Sequence, residues 1–410
     1  MTAHLLTIQT GCGVPDFLLK EVRSKLAYVD PAVVRVALSM DGEVRLHLDP
    51  VPDESALARM EQTVRGLVAG LVSATRQPTI RVYEDHLSTP VPFRANPMAI
   101  LESAGEVIRE GPGSYSLGPM MTRILRFLQN QLDRIAFESG AQPRHFPAMI
   151  PASMMQKIRY FRSFPHSLTF VSHIREEMGT IERFAKEAHC PGEVLQMPDH
   201  SLASVRNLLS PAICYHNYLA MADRTLPHDP VITTATGPCF RFEAANMEGL
   251  ERLWNFTMWE VIFVGTESGV MEGITRVLQL CSRLLQRLGV AFRIENANDP
   301  FFVGEFATQA GFQYAYDLKY EFLAWLPYRD GLFAVGSRNY HRDFFGRALR
   351  IRTVDGGTAH SGCVGFGLER LAYALVAQYG MDPTQWPEAL QRAWQAPLTD
   401  PIGSILSEWS

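Results

Sequence analysis

The chain has 410 residues, 47% of them hydrophobic and 20% charged, with a formal net charge of −5. That length allows two or three domains and at least one large core. The composition is ordinary for a globular protein, and the acidic balance argues against a broadly basic nucleic-acid surface.

The first 86 residues alternate in a definite order. HLLTIQ (4–9) reads as a strand and PDFLLKEVRSKLA (15–27) as an amphipathic helix. VVRVALS and EVRLHLD alternate as strands around the turn MDGE. The stretch 53–75 has helical periodicity behind a capping Asp53. TIRVYED (79–85) closes as a strand. The order βαββαβ predicts a small ferredoxin-like accessory domain over 1–86. HLSTPVPFRANPM is rich in Pro and polar residues, so 87–104 reads as a linker. A long helix follows and ends at Gly140, and then RHFPAMIP forms a short strand. From Pro211 onward strands predominate, with one clear helix at 267–289 and another at 368–380. Runs of strands with few helices predict an α+β domain over 105–410, an antiparallel sheet with helices against it.

No apolar run approaches the roughly 18 residues of a membrane helix. The N-terminus lacks the charged start and long apolar core of a secretory signal. Cys12, Cys190, Cys214, Cys239, Cys281 and Cys363 are scattered. A disulfide framework is therefore not expected, and the cytoplasm is the expected location.

Two stretches carry chemistry. In GPCFRFEAANMEGLERLWNFTMWEVIFVG (237–265), period-two alternation puts Cys239, Arg241 and Glu243 on one face. Read as one long hairpin, the returning strand gives Arg252, Trp254, Phe256, Met258 and Glu260 a common parity. One face then collects Arg241, Glu243, Arg252, Phe256 and Glu260. Two guanidinium forks and an aromatic plate suit a nucleotide, because arginine pairs bidentately with phosphate and the ring stacks on a base. The ordinary alternative is a solvated face of Arg–Glu pairs. In TAHSGCVGFGLERLAYAL (358–375), Gly362, Gly365 and Gly367 precede Arg370 at a helix start, where anions are favoured. The ordinary alternative there is close helix–strand packing.

Together these stretches resemble motifs 2 and 3 of class II aminoacyl-tRNA synthetases. FRFE with the later RLWNF matches Phe-Arg-x-Glu…Arg-x-x-x-Phe, and GCVGFGLERL matches Gly-x-Gly-x-Gly-x-x-Arg. RHFPAMIP resembles motif 1, the dimer element. SPAICYHNY, CFRFE, FTMWEVIFVGT, NDPFF, SRNYHRDFFG and AHSGCVGFGLERLA sharpen the resemblance to amino acid:[carrier protein] ligases, relatives of an atypical seryl-tRNA synthetase.

The resemblance implies a class II synthetase-like antiparallel sheet flanked by helices. It implies adenylation of a small amino acid by ATP and transfer to the phosphopantetheine thiol of a carrier protein, by a homodimer. Arg241 and Arg370 are the implied catalytic residues, and Arg241, Glu243, Arg252, Phe256 and Arg370 the implied ATP contacts. A Zn²⁺ ion is implied on Cys214, Glu260 and Cys363; the ordinary alternative for the two cysteines is a buried apolar role. Mg²⁺ is implied with ATP, but the strand that carries a metal-binding Glu in seryl enzymes has Ala334 here. Thr257 and Trp259 replace basic residues of relatives, which points to an altered substrate pocket or carrier approach. His341 and His360 are further candidates for substrate contact. The lack of a coiled-coil arm and the net charge favour a carrier over tRNA. The competing readings are an atypical aminoacyl-tRNA synthetase and a non-catalytic paralogue.

Overall fold

The computed structural model describes residues 4–75, 77–247, 249–299, 313–314 and 316–395. At the N-terminus, β1 (His4–Gln9), α1 (Asp16–Leu26), β2 (Val33–Leu38), β3 (Glu43–Leu48) and α2 (Glu54–Ala74) follow in order. Alternation turns Val44, Leu46 and Leu48 of β3 to one side. There they bury against Leu18, Val22 and Leu26 of α1 and Met60, Val64 and Val68 of α2. Asp53 starts α2 by accepting a hydrogen bond from the Ala56 N–H at 2.7 Å. The sheet order is β1-β3-β2, antiparallel throughout, as three strands of a βαββαβ unit would lie.

The fourth strand of that unit goes elsewhere. β4 (Val82–Asp85) leaves the small sheet and pairs with Phe292–Asn296 at the edge of the large one. Its polar partners are there. Arg293 meets Asp85 at 2.7 Å, and the Asn296 side chain accepts from the Arg81 N–H at 2.9 Å and donates to the Thr79 carbonyl at 3.1 Å. The expected linker holds a short helix, Pro97–Ser103, begun by Asn96, which accepts from the Met98 N–H at 3.0 Å.

The large sheet adds β5 (Gln142–Pro143), β6 (Val231–Phe240), β7 (Asn255–Gly265), β8 (Phe292–Asn296), β9 (Lys319–Leu326), β10 (Gly331–Arg342) and β11 (His360–Gly367). Its order is β4-β8-β9-β10-β11-β7-β6-β5, antiparallel except for the β6–β5 pair. One face is covered by α3 (Pro119–Glu138), α5 (Glu267–Arg287) and α6 (Leu368–Tyr379), with the short α4 (Cys214–Ala220) on the other. The period of two decides what each face receives. Trp259, Val261 and Phe263 of β7 and Val364 and Phe366 of β11 pack under the helices. Ile262, Val264 and Cys363 face the opposite way, toward α4. α5 presents Val270, Ile274, Val277, Leu278, Cys281 and Leu285 at three- and four-residue spacing, all buried. This two-layer construction leaves the second sheet face for chemistry. Among the described residues, no helix is long and apolar enough to cross a membrane.

Candidate active site

The three predicted metal ligands converge on that second face. Register sets Cys363 of β11 opposite Ile262 and Gly365 opposite Glu260 of β7, so Glu260 and Cys363 are diagonal neighbours on one side of the sheet. Cys214 comes from the first turn of α4, laid across the same face. Its backbone N–H donates to Glu260 Oε2 at 2.8 Å, and the Cys363 thiol donates to Glu260 Oε1 at 3.6 Å. One ligand atom from each of Cys214, Glu260 and Cys363 lies within 4.8 Å of the others, and all three residues are buried. Burial pushes the Glu260 carboxyl up to about 7, against the Cys214 N–H and the charge of Arg241, which pull it down. The contact with Cys363 and burial raise the Cys214 thiol. Two thiols and a carboxyl held this close, each disfavoured as an anion, would all be stabilised as anions by a divalent cation. Two sulfurs and one oxygen are the donor set of a zinc site with an open position.

Gly365 has a specific part in this. A Cβ there would sit 2.8 Å from Glu260 Cγ and 3.1 Å from the Trp259 carbonyl oxygen. The glycine, two residues past Cys363 on the same face, therefore clears room for the Glu260 side chain. Gly362 points the other way: its Cβ would meet the Asn339 carbonyl oxygen at 2.8 Å and Ile274 of α5 at 3.1 Å. That is the close helix–strand packing weighed for this stretch.

The arginines gather beside the cluster. Arg241 donates from Nε to the Pro211 carbonyl at 2.9 Å and lies 5.4 Å over the Phe256 ring. Arg252 pairs with Glu243. Burial opposes the charge of Glu243, but Arg252, Arg370 and Arg241 outweigh it and hold its pKa below the usual range. Arg370 donates to the Ala334 carbonyl at 3.3 Å. Burial, with Arg252 and Arg241 against the help of Glu243, brings it down to about 10. It stays protonated, in a pocket with more positive than negative charge, which is what a polyphosphate requires.

Several expectations change. The hairpin does not run on as strand. β6 ends at Phe240 and β7 begins at Asn255, with one further pairing bond from the Arg241 N–H to the Trp254 carbonyl at 2.8 Å. Glu243 and Arg252 meet from a loop with 3₁₀ turns at Ala244–Asn246 and Gly249–Glu251, not by strand parity. Thr257 and Trp259 face the helices and cannot line the pocket. Thr257 donates from its N–H at 2.9 Å and its hydroxyl at 2.7 Å to Glu369. Trp259 Nε1 donates to Asp133 at 2.9 Å, fully buried. Cys239 packs with Ile213, Phe256 and Met258 in an apolar cluster. His341 bonds through Nδ1 with the Tyr218 hydroxyl at 3.3 Å, and burial lowers its pKa to about 4. His360 bonds with the Tyr340 hydroxyl at 2.6 Å. Of NDPFF, residues 300–302 lie outside the described residues. Asn217, one turn beyond Cys214, was missed. Its buried amide has no hydrogen-bond partner among the described residues, a fact only packing reveals.

An antiparallel sheet backed by helices, with arginines and a buried ligand cluster on its open face, defines a class II synthetase-like ligase. The model of the tRNA synthetase class II core domain (G, H, P, S and T) matches residues 204–379. Amino acid–[acyl-carrier-protein] ligase 1 of Bradyrhizobium diazoefficiens is 32% identical over 251 residues, 61% of this chain and 75% of that protein. The type-2 serine–tRNA ligase of Methanococcus aeolicus is 28% identical over 331 residues, 77% of this chain and 62% of that one. The crystal structure of the Methanopyrus kandleri seryl-tRNA synthetase in complex with A. aeolicus tRNASec superposes with a TM-score of 0.68 at 23% identity, over 95% of this chain and 77% of that one. The chain belongs to the class II aminoacyl-tRNA synthetase family of ligases, in the group that holds amino acid–[acyl-carrier-protein] ligases and type-2 serine–tRNA ligases.

Proposed function

We propose that this chain activates a small amino acid as its adenylate and passes the aminoacyl group to the phosphopantetheine thiol of a carrier protein, in the cytoplasm and as a homodimer. The observation that carries the reading is the buried Cys214–Glu260–Cys363 cluster on the sheet face that also holds Arg241 and Phe256, with the charge of Arg370, from the start of α6, acting on Arg241 and Glu243. The 32% identity to a carrier-protein ligase supports the acceptor.

In the first step the amino-acid carboxylate attacks the α-phosphorus of ATP, and pyrophosphate leaves. The protein's work is placement and charge neutralisation. Arg241 meets the α-phosphate and the carboxylate, and Phe256 stacks on adenine. Arg252 and Arg370 hold the β- and γ-phosphates. Glu243 keeps Arg252 in place and accepts from the adenine amino group. In the second step the acceptor thiol attacks the aminoacyl carbonyl and AMP leaves. Cys214, Glu260 and Cys363 fit a zinc ion, which when bound supplies a Lewis-acidic site for the substrate's neutral amino group. Magnesium is different. Ala334 offers only a carbonyl, already used by Arg370, and Cys214–Glu260–Cys363 is the only group of three metal-ligating side chains among the described residues. Magnesium is proposed to arrive with the nucleotide, whose phosphates supply most of its ligands.

One observation favours the tRNA reading. Residues 87–410 make up 324 of 410, about 79% of the chain, so an overlap of 95% with the Methanopyrus kandleri enzyme takes in much of the N-terminal unit as well. An N-terminal unit of strands and helices in place of coiled-coil heptads therefore does not argue against tRNA. The test is transfer from the adenylate. Label moving to a pantetheinylated carrier supports the ligase, and label moving to tRNASer alone supports the synthetase. No pyrophosphate release with any amino acid would overturn both.

A further inference from the structure

Helix α1 belongs to the N-terminal unit, yet it lies against the loop that carries Glu243 and Arg252. The Tyr28 hydroxyl, just past its end, donates to the Phe242 carbonyl at 3.2 Å. The Asn246 amide donates to the Ser24 carbonyl at 3.0 Å. Ala245 packs against the small unit's own core, and the Tyr28 ring meets His166 edge-on at 5.4 Å. The core stripe of α1, Leu18, Val22 and Leu26, takes the other side of the helix. At about 100° per residue, Lys20 falls only about 40° from Ser24, on the side turned to the loop.

Lys20 makes no ion pair among the described residues. The charges that act on it are Glu321 first, then Arg252, Lys319 and Arg370. Lys319 is already neutralised by Asp299 and Glu321, both at 2.9 Å. Lys20 is thus a surplus cation on the rim of the pocket whose arginines hold the phosphates. Glu321 favours its ammonium and the three neighbouring cations oppose it, while the side chain itself is exposed at the surface of α1. A polyphosphate placed among these groups would relieve the repulsion.

We propose that α1 roofs the phosphate end of the nucleotide site and that Lys20 binds the β- and γ-phosphates of ATP and the departing pyrophosphate, a contact supplied from outside the synthetase core. The inference rests on the reading of the site given above. The test is calorimetric titration of the full chain and its Lys20→Ala and Lys20→Arg variants with ATP, pyrophosphate and AMP. Lys20→Ala binds ATP and pyrophosphate roughly tenfold more weakly, the size of one partly screened charge–phosphate contact. Its AMP affinity and melting temperature stay at the wild-type value, and Lys20→Arg recovers most of the loss. If Lys20→Ala weakens ATP and AMP alike, or Glu321→Gln gives the same pattern, Lys20 is only a latch to Glu321 and the inference is wrong. It is equally wrong if Lys20→Ala binds all three ligands normally. Wild-type protein that binds neither ATP nor AMP would instead overturn the reading of the site, a distinct result.

Discussion

Gly365→Ala probes the metal cluster without removing any of its ligands. The added methyl would lie 2.8 Å from Glu260 Cγ and 3.3 Å from its Oε1, with the Trp259 carbonyl closing the other side at 3.1 Å. Neither β7 nor β11 can retreat, since both are central strands with partners on each side. The side chain of Glu260 must therefore swing away. Overpacking of this kind costs about 1–3 kcal/mol, a fall in melting temperature of roughly 2–10 °C for a unit of this size. Gly362→Ala is the matched control. It creates a similar clash, 2.8 Å to the Asn339 carbonyl oxygen and 3.1 Å to Ile274, on the helix side of the same strand. Both variants should melt lower, but only Gly365→Ala should bind zinc at least tenfold more weakly, measured by competition with a chelating dye. Wild-type zinc affinity in Gly365→Ala, or equal loss in both variants, would refute the reasoning.

Other outcomes follow from the same geometry. Cys363→Ala removes a buried ligand with little loss of volume, so metal analysis should find the ion gone while circular dichroism stays native; full metal occupancy would contradict the ligand assignment. Arg370→Ala should lower kcat/KM for ATP by roughly 10- to 100-fold, the worth of one charge-assisted contact of about 1.5–3 kcal/mol, and leave zinc content unchanged. Normal ATP kinetics would remove Arg370 from the phosphate site. Trp259→Phe takes the 2.9 Å donor from the half-buried Asp133 carboxyl, which keeps its bond with Gln129, and should destabilise the fold by about 1 kcal/mol. Because Trp259 faces α3, the KM for ATP and for the amino acid should not move, and a changed amino-acid preference would contradict that placement.

The sequence was most legible where a local rule governs. Alternation in EVRLHLD and the three- and four-residue spacing of Val270, Ile274, Val277 and Leu278 are enough to place β3 and α5. Strand parity also set Glu260 and Phe256 on the open face. It failed between Phe240 and Asn255, because the loop trades ladder bonds for an Arg252–Glu243 pair and contacts with α1. Parity was read through that loop as if the strand continued. β4 was misassigned because nothing local distinguishes one sheet edge from another; Arg293 and Asn296, more than 200 residues away, decide it. The metal cluster was invisible to spacing, since Glu260 and Cys363 are joined by register and Cys214 only by the packing of α4 across the sheet. It came from the family resemblance. The docking of α1 over the loop was illegible altogether, because Tyr28 and Ser24 make their contacts through a hydroxyl and a backbone carbonyl.

The most direct measurement is amino-acid-dependent ATP–pyrophosphate exchange across a panel of amino acids, with metal counted in the same sample. The account predicts roughly one zinc per chain, exchange with a small amino acid, and loss of that exchange on chelation with recovery when zinc returns. A metal-free sample that exchanges normally, or a zinc-loaded sample that exchanges with no amino acid, would contradict it.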